Sequence, residues 1–520
     1  MESKVSTEQY EDAAVVEKEP TACGDSPQQQ RFRPITNYSW LFTTWLVCVA
    51  IFSAPLGSLA DRIGRRYFFI AGNVFALIGA IICAAAQSVN VIIVGMTFGG
   101  IGAAHQQLAV AGLSEIFPNK YRAYDIGAVQ LSAFPFVACG SLIGFSMAKY
   151  ATWRWVYYLN IILDGLALIA VVLLYHPPFP NKETPRWQLI KCADWIGISV
   201  SIVGVVGLGL GFGPAAFGLH GWGAAAVLVP LTLGIALLIA VGFWMRYGSS
   251  DPLHPPEIFN IRGFSNLLLI VTAIYMPVYA LTFVWSQEVQ AVYTTDPIEI
   301  GLYNFPAGFG AEVGAIIAAL VARRLGRTNL QLAIACLVLT IFTGLQATLT
   351  PNSIKPALGY MSIGGLAIGY IQVISVVMIQ LEAPDKYIGD ATGLLISFRT
   401  VGAALGVSIC LTIVKSKVRS TWPHAVAEAT VPLGLPATSL PALLGALQTQ
   451  SVPALMAVPG ISPQIIEAAT IATKLTYAAA FRLIYYPALA LGVVGTVLSL
   501  FAKDVTPLMT NHLAVSMTQS

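Results

Sequence analysis

The stretch GSLADRIGRR, residues 57–66, decides the fold of this chain. An apolar run at residues 38–60 precedes it, and a second run at residues 67–87 follows it. Each run has roughly the 20 residues that a helix needs to cross a bilayer. The stretch is therefore a tight polar turn between two membrane spans. Its three arginines place the turn on the cytoplasmic side, because cytoplasmic loops are enriched in basic residues.

The composition excludes a soluble protein. Of the 520 residues, 56% are hydrophobic and only 10% are charged, whereas about a quarter of the residues of soluble domains are charged. We therefore expect an all-α polytopic membrane protein. The net charge of +3 from 28 basic and 25 acidic residues gives no indication of a nucleic-acid partner. The seven cysteines show neither a disulfide framework nor metal-ligand spacing.

Enzyme and ATPase motifs are absent from the sequence. We find no phosphate-binding loop with its lysine, no nucleophile elbow and no His-Glu-x-x-His pair. The sequence thus predicts neither an enzyme nor a bound cofactor or metal. The energy for any transport should come from an ion gradient.

Hydropathy predicts thirteen spans, at residues 38–60, 67–87, 90–113, 126–147, 155–175, 195–213, 222–246, 264–286, 300–322, 329–349, 356–379, 391–414 and 479–501. Threading them from the cytoplasmic turn at residues 57–66 puts most basic loop residues inside. The short outer loops contain only Lys149, Arg154 and Lys355 as basic residues. This asymmetry supports the topology independently of the turn.

Five segments follow from these spans. Residues 1–35 form a polar tail with no signal peptide, which we expect to be disordered. Residues 36–176 form an N-terminal bundle of five spans, and residues 177–248 hold two inserted helices with cytoplasmic linkers. Residues 249–503 form a C-terminal bundle, and residues 504–520 form a cytoplasmic tail.

A long outer loop is predicted at residues 415–477 within the C-terminal bundle, because prolines are frequent there and its apolar stretches are short. Residues 442–458 resemble a short amphipathic helix that rests on the outer membrane surface. A re-entrant segment is the alternative.

The chain contains an internal repeat of its central turn. The stretch ALVARRLGR, residues 319–327, has the spacing of GSLADRIGR, and it also joins two predicted spans on the cytoplasmic side. Arg323 stands where Asp61 stands in the first copy. We expect two halves related by an axis along the membrane normal, with the substrate site near the midplane between them.

The turn at residues 57–66 resembles the signature between the second and third helices of the major facilitator superfamily. Together with EIFPNKYR (residues 115–122), WRWVYYLN (153–160) and VPGIS (458–462), it resembles the fourteen-helix fungal branch that includes trichothecene efflux pumps and siderophore-iron transporters. The resemblance implies two six-helix bundles plus two inserted helices. It also implies one more helix before the turn, so we expect that the first helix is missing through truncation or mis-splicing. A natural thirteen-helix form is the alternative.

The resemblance implies a secondary active transporter that exports an amphipathic small molecule, such as a mycotoxin, another secondary metabolite or a drug, in exchange for protons. Its partners would be that substrate, protons and the lipid bilayer, and it would act as a monomer. The plasma membrane is the expected location, with a vacuolar or vesicle membrane as the alternative. Uptake of a ferric siderophore is the alternative transport function. A truncated, non-transporting relative, acting as a sensor or inactive, is the alternative from another class.

Two departures weaken proton antiport as inferred from drug pumps of this type. Gly95 or Met96 occupies the place of their arginine in span three, and Gly140-Ser141 has serine where they have proline.

Charged and polar residues within the hydrocarbon are functional candidates, because burying them there is costly. The candidates for substrate binding or proton coupling are His105 and Gln106 in span three, Glu312 in span nine and Gln372 in span eleven. For Asp164 in span five we expect pairing between helices.

The last expectation concerns Asp61. It should approach the start of span twelve near Gly389 and Asp390, where unpaired N–H groups and the helix dipole favour an anion. Arg65 would hold Asp61, and Arg399 would join the network through Asp390. The proposed conformational latch comprises Gly57, Asp61, Arg62, Gly64, Arg65, Arg66, Asp390 and Arg399.

Overall fold

The computed structural model describes residues 38–115, 117–177, 186–216, 223–449 and 452–512. The predicted disordered tail at residues 1–35 lies outside these ranges. Within them, 13 helices are long and apolar enough to cross a membrane. The predicted number of spans and the all-α class are confirmed.

The spanning helices are α1 (Tyr38–Ile63), α2 (Arg66–Ala85), α3 (Val89–Gln107), α4 (Arg122–Tyr150), α5 (Arg154–Leu174), α6 (Trp195–Ala216), α7 (Ala225–Phe243), α8 (Arg262–Tyr279), α9 (Pro297–Leu325), α10 (Thr328–Gln346), α11 (Ile354–Glu382), α12 (Ile388–Thr430) and α13 (Pro463–Leu500). Several of the spans continue in further helical pieces, and two of these pieces bear on the site described below. The helix Ala109–Ser114 follows α3 after a break at Leu108. A π-helical stretch, Ala280–Val284, follows α8.

The N-terminal bundle consists of α1–α5. Helix α1 packs on α3, α3 on α2 and α2 on α5. Helix α5 has no buried residue. A Cβ atom added to Gly140 or Gly144 of α4, or to Gly165 of α5, would meet open space. The described bundle therefore leaves one face of α4 and α5 unfilled.

The C-terminal bundle consists of α8–α13 and contains most of the apolar core. The large side chains of Phe264, Trp285 and Tyr485 are fully buried in it. Helix α12 packs on α8 and α13, and α11 packs on α9 and α10. This bundle is thus a complete six-helix unit.

The two bundles meet along two pairs of helices, α1 with α12 and α4 with α9. The sequence repeat equates α1 with α9, and span order then equates α4 with α12. The two contacts are therefore equivalent to each other under the expected twofold relation. The repeat thus explains why these four helices form the interface.

The inserted helices α6 and α7 pack on each other through glycines. Gly207 of α6 lies against Gly234 of α7 with no room for a side chain. Helix α6 also contacts both α1 and α12. The pair therefore lies beside the α1–α12 junction and contacts both bundles.

The prediction of a long outer loop at residues 415–477 is wrong. Helix α12 continues to Thr430, and α13 begins at Pro463, well before the predicted span. The charged residues after Val414 lower the hydropathy, which ends the predicted span, but they do not interrupt the helix. A fall in hydropathy predicts the end of an apolar span, but a helix can continue past that point.

The amphipathic helix predicted at residues 442–458 is also corrected. Two short helices, Leu440–Thr449 and Val452–Met456, occupy this region. The buried Leu443 belongs to a second apolar core with Trp422 of α12 and Ile465 of α13. This face therefore packs on the helix extensions and not on lipid, because those extensions offer an apolar surface of their own.

Candidate functional site

The carboxylate of Asp61 lies at the N-terminus of α12. It accepts hydrogen bonds from the backbone N–H groups of Gly389, at 3.1 Å, and Asp390, at 2.8 Å. These groups lie in the first turn of α12, where no intrahelical acceptor exists. An anion is favoured there by the helix dipole. Asp61 therefore joins the two bundles at the end that the positive-inside rule assigns to the cytoplasm.

Arg65 holds Asp61 from within its own bundle. Its Nη2 atom lies 2.9 Å from Asp61 Oδ1 and 2.6 Å from Glu115 Oε1. Burial lowers the pKa of Arg65, but Glu115 and Asp61 raise it above its usual value. Burial raises the pKa of Glu115, and Arg65 opposes that rise. One buried arginine thus bridges two carboxylates, Asp61 near the end of α1 and Glu115 directly after the helix Ala109–Ser114.

The linker before the C-terminal bundle adds contacts that the sequence analysis missed. Arg62 pairs with Asp251 at 2.7 Å, and Ser58 Oγ donates to the Leu253 carbonyl at 2.5 Å. His254 Nδ1 lies 2.5 Å from Asp390 Oδ1, and both side chains are buried. In the sequence, these contacts are indicated only by two polar residues, Asp251 and His254, in the proline-rich stretch DPLHPP at residues 251–256. The linker therefore touches both sides of the junction.

Arg66 and Gly64 shape the turn without reaching α12. Arg66 Nη2 donates to the Val172 carbonyl of α5 at 3.1 Å. Gly64 has a φ of 96°, which favours glycine. We predicted that both residues belong to the latch, but in the structure they anchor the turn within the N-terminal bundle.

Arg399 does not join Asp390. It lies nine residues further along α12, which is about 13 Å on a helix. Its Nη2 atom donates to Gln107 Oε1 at 2.8 Å, and its guanidinium lies 5.4 Å from the ring centre of Tyr275. The prediction that Arg399 belongs to the latch network is therefore wrong.

Gly57 permits the close approach of α1 and α12. A Cβ atom at this position would lie 2.3 Å from the Gly389 carbonyl oxygen and 3.2 Å from Gly393 Cα. Both are backbone atoms, so a side chain cannot be accommodated by a rotamer change. The equivalent contact in the other pair of helices joins Gly127 of α4 to Ala319 of α9.

We expect the Gly57→Ala substitution to destabilise the protein, because overpacking costs about 1–3 kcal/mol. The melting temperature of the purified protein should fall, as measured by fluorescence-detected size exclusion after heating. Gly99→Ala is the matched control, since a Cβ atom at Gly99 of α3 would meet open space. An equal fall in melting temperature in the two variants would show that Gly57 is not needed for the close approach of α1 and α12.

A second internal repeat lies at the same end of the molecule. The stretch EIFPNKY (residues 115–121) precedes α4, and EAPDKY (382–387) precedes α12. Their prolines share φ −57° and ψ 145°, and each begins a 3-10 turn. The lysine of each turn lies over the ring of the tyrosine that follows it. The two halves thus present matching turns before the two interface helices.

Further contacts join the bundles at this end. Arg122 Nη1 donates to the Gln380 carbonyl at 2.7 Å. The Asn119 N–H donates to the His512 carbonyl, and the His512 side chain lies 2.6 Å from Asp385. Residues 504–512 of the predicted cytoplasmic tail therefore lie across both bundles.

His105 faces the interior of its own bundle, which contradicts its place as a candidate cavity residue. Its Nδ1 atom lies 2.8 Å from the Ile101 carbonyl. Its ring lies beside Phe68 and Phe75 of α2, and its Cβ packs against Gly72. Tight packing of α2 on α3 decides this orientation.

Gln106 is likewise turned away from the other bundle. Its amide donates to Asn73 of α2 at 3.1 Å and to Asp164 of α5 at 3.2 Å. Its predicted role in substrate or proton binding is therefore corrected to a bond between helices. Asp164 makes the kind of helix-to-helix contact expected of it. Within the described part of the chain, Gln107 is the one of the three neighbouring polar residues in α3 that forms a hydrogen bond to the other bundle, through Arg399.

Glu312 lies on the face of α9 that meets α4. It follows Gly308 by one turn and precedes Ala319 by two, and these residues contact Val137 and Gly127 of α4. Its side chain is only 1% exposed, and Oε2 has no hydrogen-bond partner among the described residues. Glu312 is therefore a buried, unsatisfied carboxyl between the bundles.

Gln372 of α11 is half-buried. None of the hydrogen bonds found in the described ranges involves its side chain. The structure brings it to neither Glu312 nor Arg399 by a direct bond, so its role stays a prediction.

Comparisons with known proteins agree with this architecture. The proton:xylose symporter XylE, a major facilitator superfamily protein, has a similar fold, with a TM-score of 0.51 at 12% identity over 90% of this chain and 86% of that one. The trichothecene efflux pump TRI12 of Fusarium sporotrichioides is 25% identical over 489 residues, covering 92% of this chain and 81% of the relative. The corresponding pump of Trichoderma arundinaceum is 26% identical over 506 residues, covering 92% and 82%.

A transporter of Penicillium rubens, the MFS-type transporter prx5, is 25% identical over 446 residues, covering 84% of this chain and 81% of that protein. The family model described as fungal trichothecene efflux pump (TRI12) matches residues 29–519. With eleven of the thirteen membrane helices found in the described residues forming two bundles, the chain is a multi-pass secondary transporter of the major facilitator superfamily and belongs to the fungal trichothecene efflux pump family.

Proposed function

We propose that the protein exports an amphipathic small organic molecule from the fungal cell in exchange for protons, by rocking of its two bundles. The substrate would be a secondary metabolite, a mycotoxin or a drug. The plasma membrane is the proposed location and a monomer the proposed form. Efflux relatives that match most of the chain support the direction of transport.

The contact of Asp61 with the N-terminus of α12 is the observation that supports this mechanism most directly. Asp61 belongs to one bundle and α12 to the other. Separation of the bundles at the cytoplasmic end must break both hydrogen bonds. The contact can therefore act as a latch that closes the cytoplasmic side while substrate leaves on the other.

The proposed coupling to protons rests on Glu312. An ionised carboxylate without a partner is costly in a site excluded from water. Glu312 should therefore hold a proton while the interface is closed and release it when water reaches the site. A carboxyl that changes its protonation with bundle opening can couple transport to a proton gradient.

Inside-out membrane vesicles from yeast cells that express the chain provide the test. The lumen of such a vesicle corresponds to the outside of the cell. With an acidic lumen, we expect accumulation of a radiolabelled trichothecene or of a rhodamine dye above that of vesicles without the protein. A protonophore should abolish this accumulation.

Failure to accumulate either probe would contradict efflux of these classes. Accumulation that persists after collapse of the pH gradient would reject proton coupling. Accumulation only in right-side-out vesicles with an acidic exterior would indicate uptake and reject export.

A further inference from the structure

Arg399 lies near the middle of the membrane, at the junction of the two bundles. It lies eleven residues into α12, about 16 Å from the cytoplasmic end of the helix. The hydrocarbon core is about 30 Å thick. A guanidinium at this depth is costly and indicates a functional site by default.

No acidic side chain among the described residues pairs with the charge of Arg399. None of the ion pairs in the described ranges includes it, and its hydrogen bond goes to the neutral side-chain oxygen of Gln107. The face of Tyr275 offers a further neutral contact. The side chain is partly exposed. The positive charge is therefore held between the bundles by neutral groups and remains accessible.

The backbone around Arg399 departs from regular α-helix on both sides. Helix α3 breaks at Leu108, directly after Gln107. Helix α8 changes to π-helix at Ala280, five residues after Tyr275. Discontinuous helices near the midplane are where secondary transporters place substrate sites, and π-helical turns are frequent at functional sites.

Two tyrosines supply hydroxyl groups on one side of α8. Tyr275 is 4% exposed, and its hydroxyl forms no hydrogen bond of good geometry with the described residues. Tyr279 lies one turn further and is half-buried against Phe42 of α1. These rings present polar groups and apolar surface together.

We propose that Arg399, with Gln107 and Tyr275, forms the binding subsite for the carboxylate of an acidic amphipathic substrate. A carboxylate would neutralise the guanidinium, whose planar donors suit carboxylate geometry. The aromatic rings would contact the apolar part of the molecule. Because the subsite spans both bundles, a bound carboxylate contacts the two parts that move. The inference rests on the proposed transport function and names acidic amphipathic molecules as one class of its substrates.

Binding to purified protein in lipid nanodiscs tests the subsite without any gradient. The probes are radiolabelled 1-naphthaleneacetate and its neutral analogue 1-naphthaleneacetamide, measured by scintillation proximity at neutral pH. We expect the native protein to bind the acid about tenfold more tightly than the amide, because hydrogen bonds to charged groups are about twice as strong as neutral ones. Arg399→Gln should lose this preference and bind the amide as before.

Arg399→Lys should keep part of the preference, since it retains the charge. Arg482→Gln is the control, because Arg482 is an exposed arginine of α13; its preference should be unchanged. Equal binding of acid and amide by the native protein, or no binding of the acid, would overturn the proposal. Equal loss of both probes in Arg399→Gln would also overturn it, since it would indicate a purely structural role. Failure of gradient-driven transport leaves this binding preference intact and so is a separate result.

Discussion

The Asp61→Asn protein should fold, reach the membrane and expose the α1–α12 interface to the cytoplasm. The substitution removes the charge that two N–H groups of α12 and the Arg65 guanidinium contact. Hydrogen bonds to charged groups contribute about 1.5–3 kcal/mol each. A loss of ~1.4 kcal/mol already shifts a conformational equilibrium tenfold. We therefore expect a shift of about tenfold or more towards the state open to the cytoplasm.

Labelling of a cysteine introduced at Ser397 measures this shift. Ser397 of α12 is buried, and its hydroxyl contacts the Ala50 carbonyl of α1. A membrane-impermeant maleimide applied from the cytoplasmic side should react faster in the Asp61→Asn background. The same protein without the introduced cysteine corrects for the native thiols.

Asp251→Asn is the matched control for the latch. Asp251 pairs with Arg62 at the same end, but its side chain is 60% exposed. Exposed ion pairs contribute about 0–1 kcal/mol, so labelling at residue 397 should change little. If Asp61→Asn leaves the labelling rate at that of the native protein, Asp61 does not act as a latch.

The Glu312→Gln protein should transport substrate at a rate that no longer depends on pH. Glutamine preserves the size of the side chain but cannot release a proton. In the native protein the buried carboxyl can be ionised only after water reaches it, since its Oε2 atom has no partner among the described residues. The native rate should therefore change with the pH on the outer side, and the rate of the variant should stay constant.

The dependence is measured as the rate at which inside-out vesicles take up whichever probe the native protein transports, at a series of lumenal pH values. Glu299→Gln is the control on the same helix. Glu299 lies in the first turn of α9 and is bonded to Thr294 at the exposed outer end. The pH dependence of transport by the Glu299→Gln protein should match that of the native protein. An unchanged pH profile in Glu312→Gln would remove Glu312 as the coupling group.

The sequence could predict the contact partners of Asp61 but not those of Arg399. The contact of Asp61 with α12 follows from local chemistry, since an acid at the end of one span and an unpaired helix N-terminus at the start of another attract each other at close range. The partner of Arg399 does not follow in this way. Asp390 is its nearest acid in sequence along α12, but Asp390 pairs with His254 from a linker that hydropathy treats only as a connection.

Periodicity also failed to separate the three polar residues of span three. His105, Gln106 and Gln107 point in directions about 100° apart on a helix, and sequence alone does not show which direction faces the other bundle. The close packing of α2 on α3, with Gly72 against His105 and Asn73 bonded to Gln106, decides it. Gln107 is left to face α12.

The sequence by itself determined the membrane class, the number of spans in the described residues, the turn between helices at residues 57–66 and the two-bundle repeat. All of these depend on hydropathy, charge and spacing, which act over neighbouring residues. Only the tertiary structure decided which polar side chains meet between the bundles and that α12 and α13 extend beyond their predicted spans to pack on Leu443. Those outcomes depend on contacts between residues far apart in the chain, such as Gln107 with Arg399, and no local pattern specifies the rotation of one helix against another.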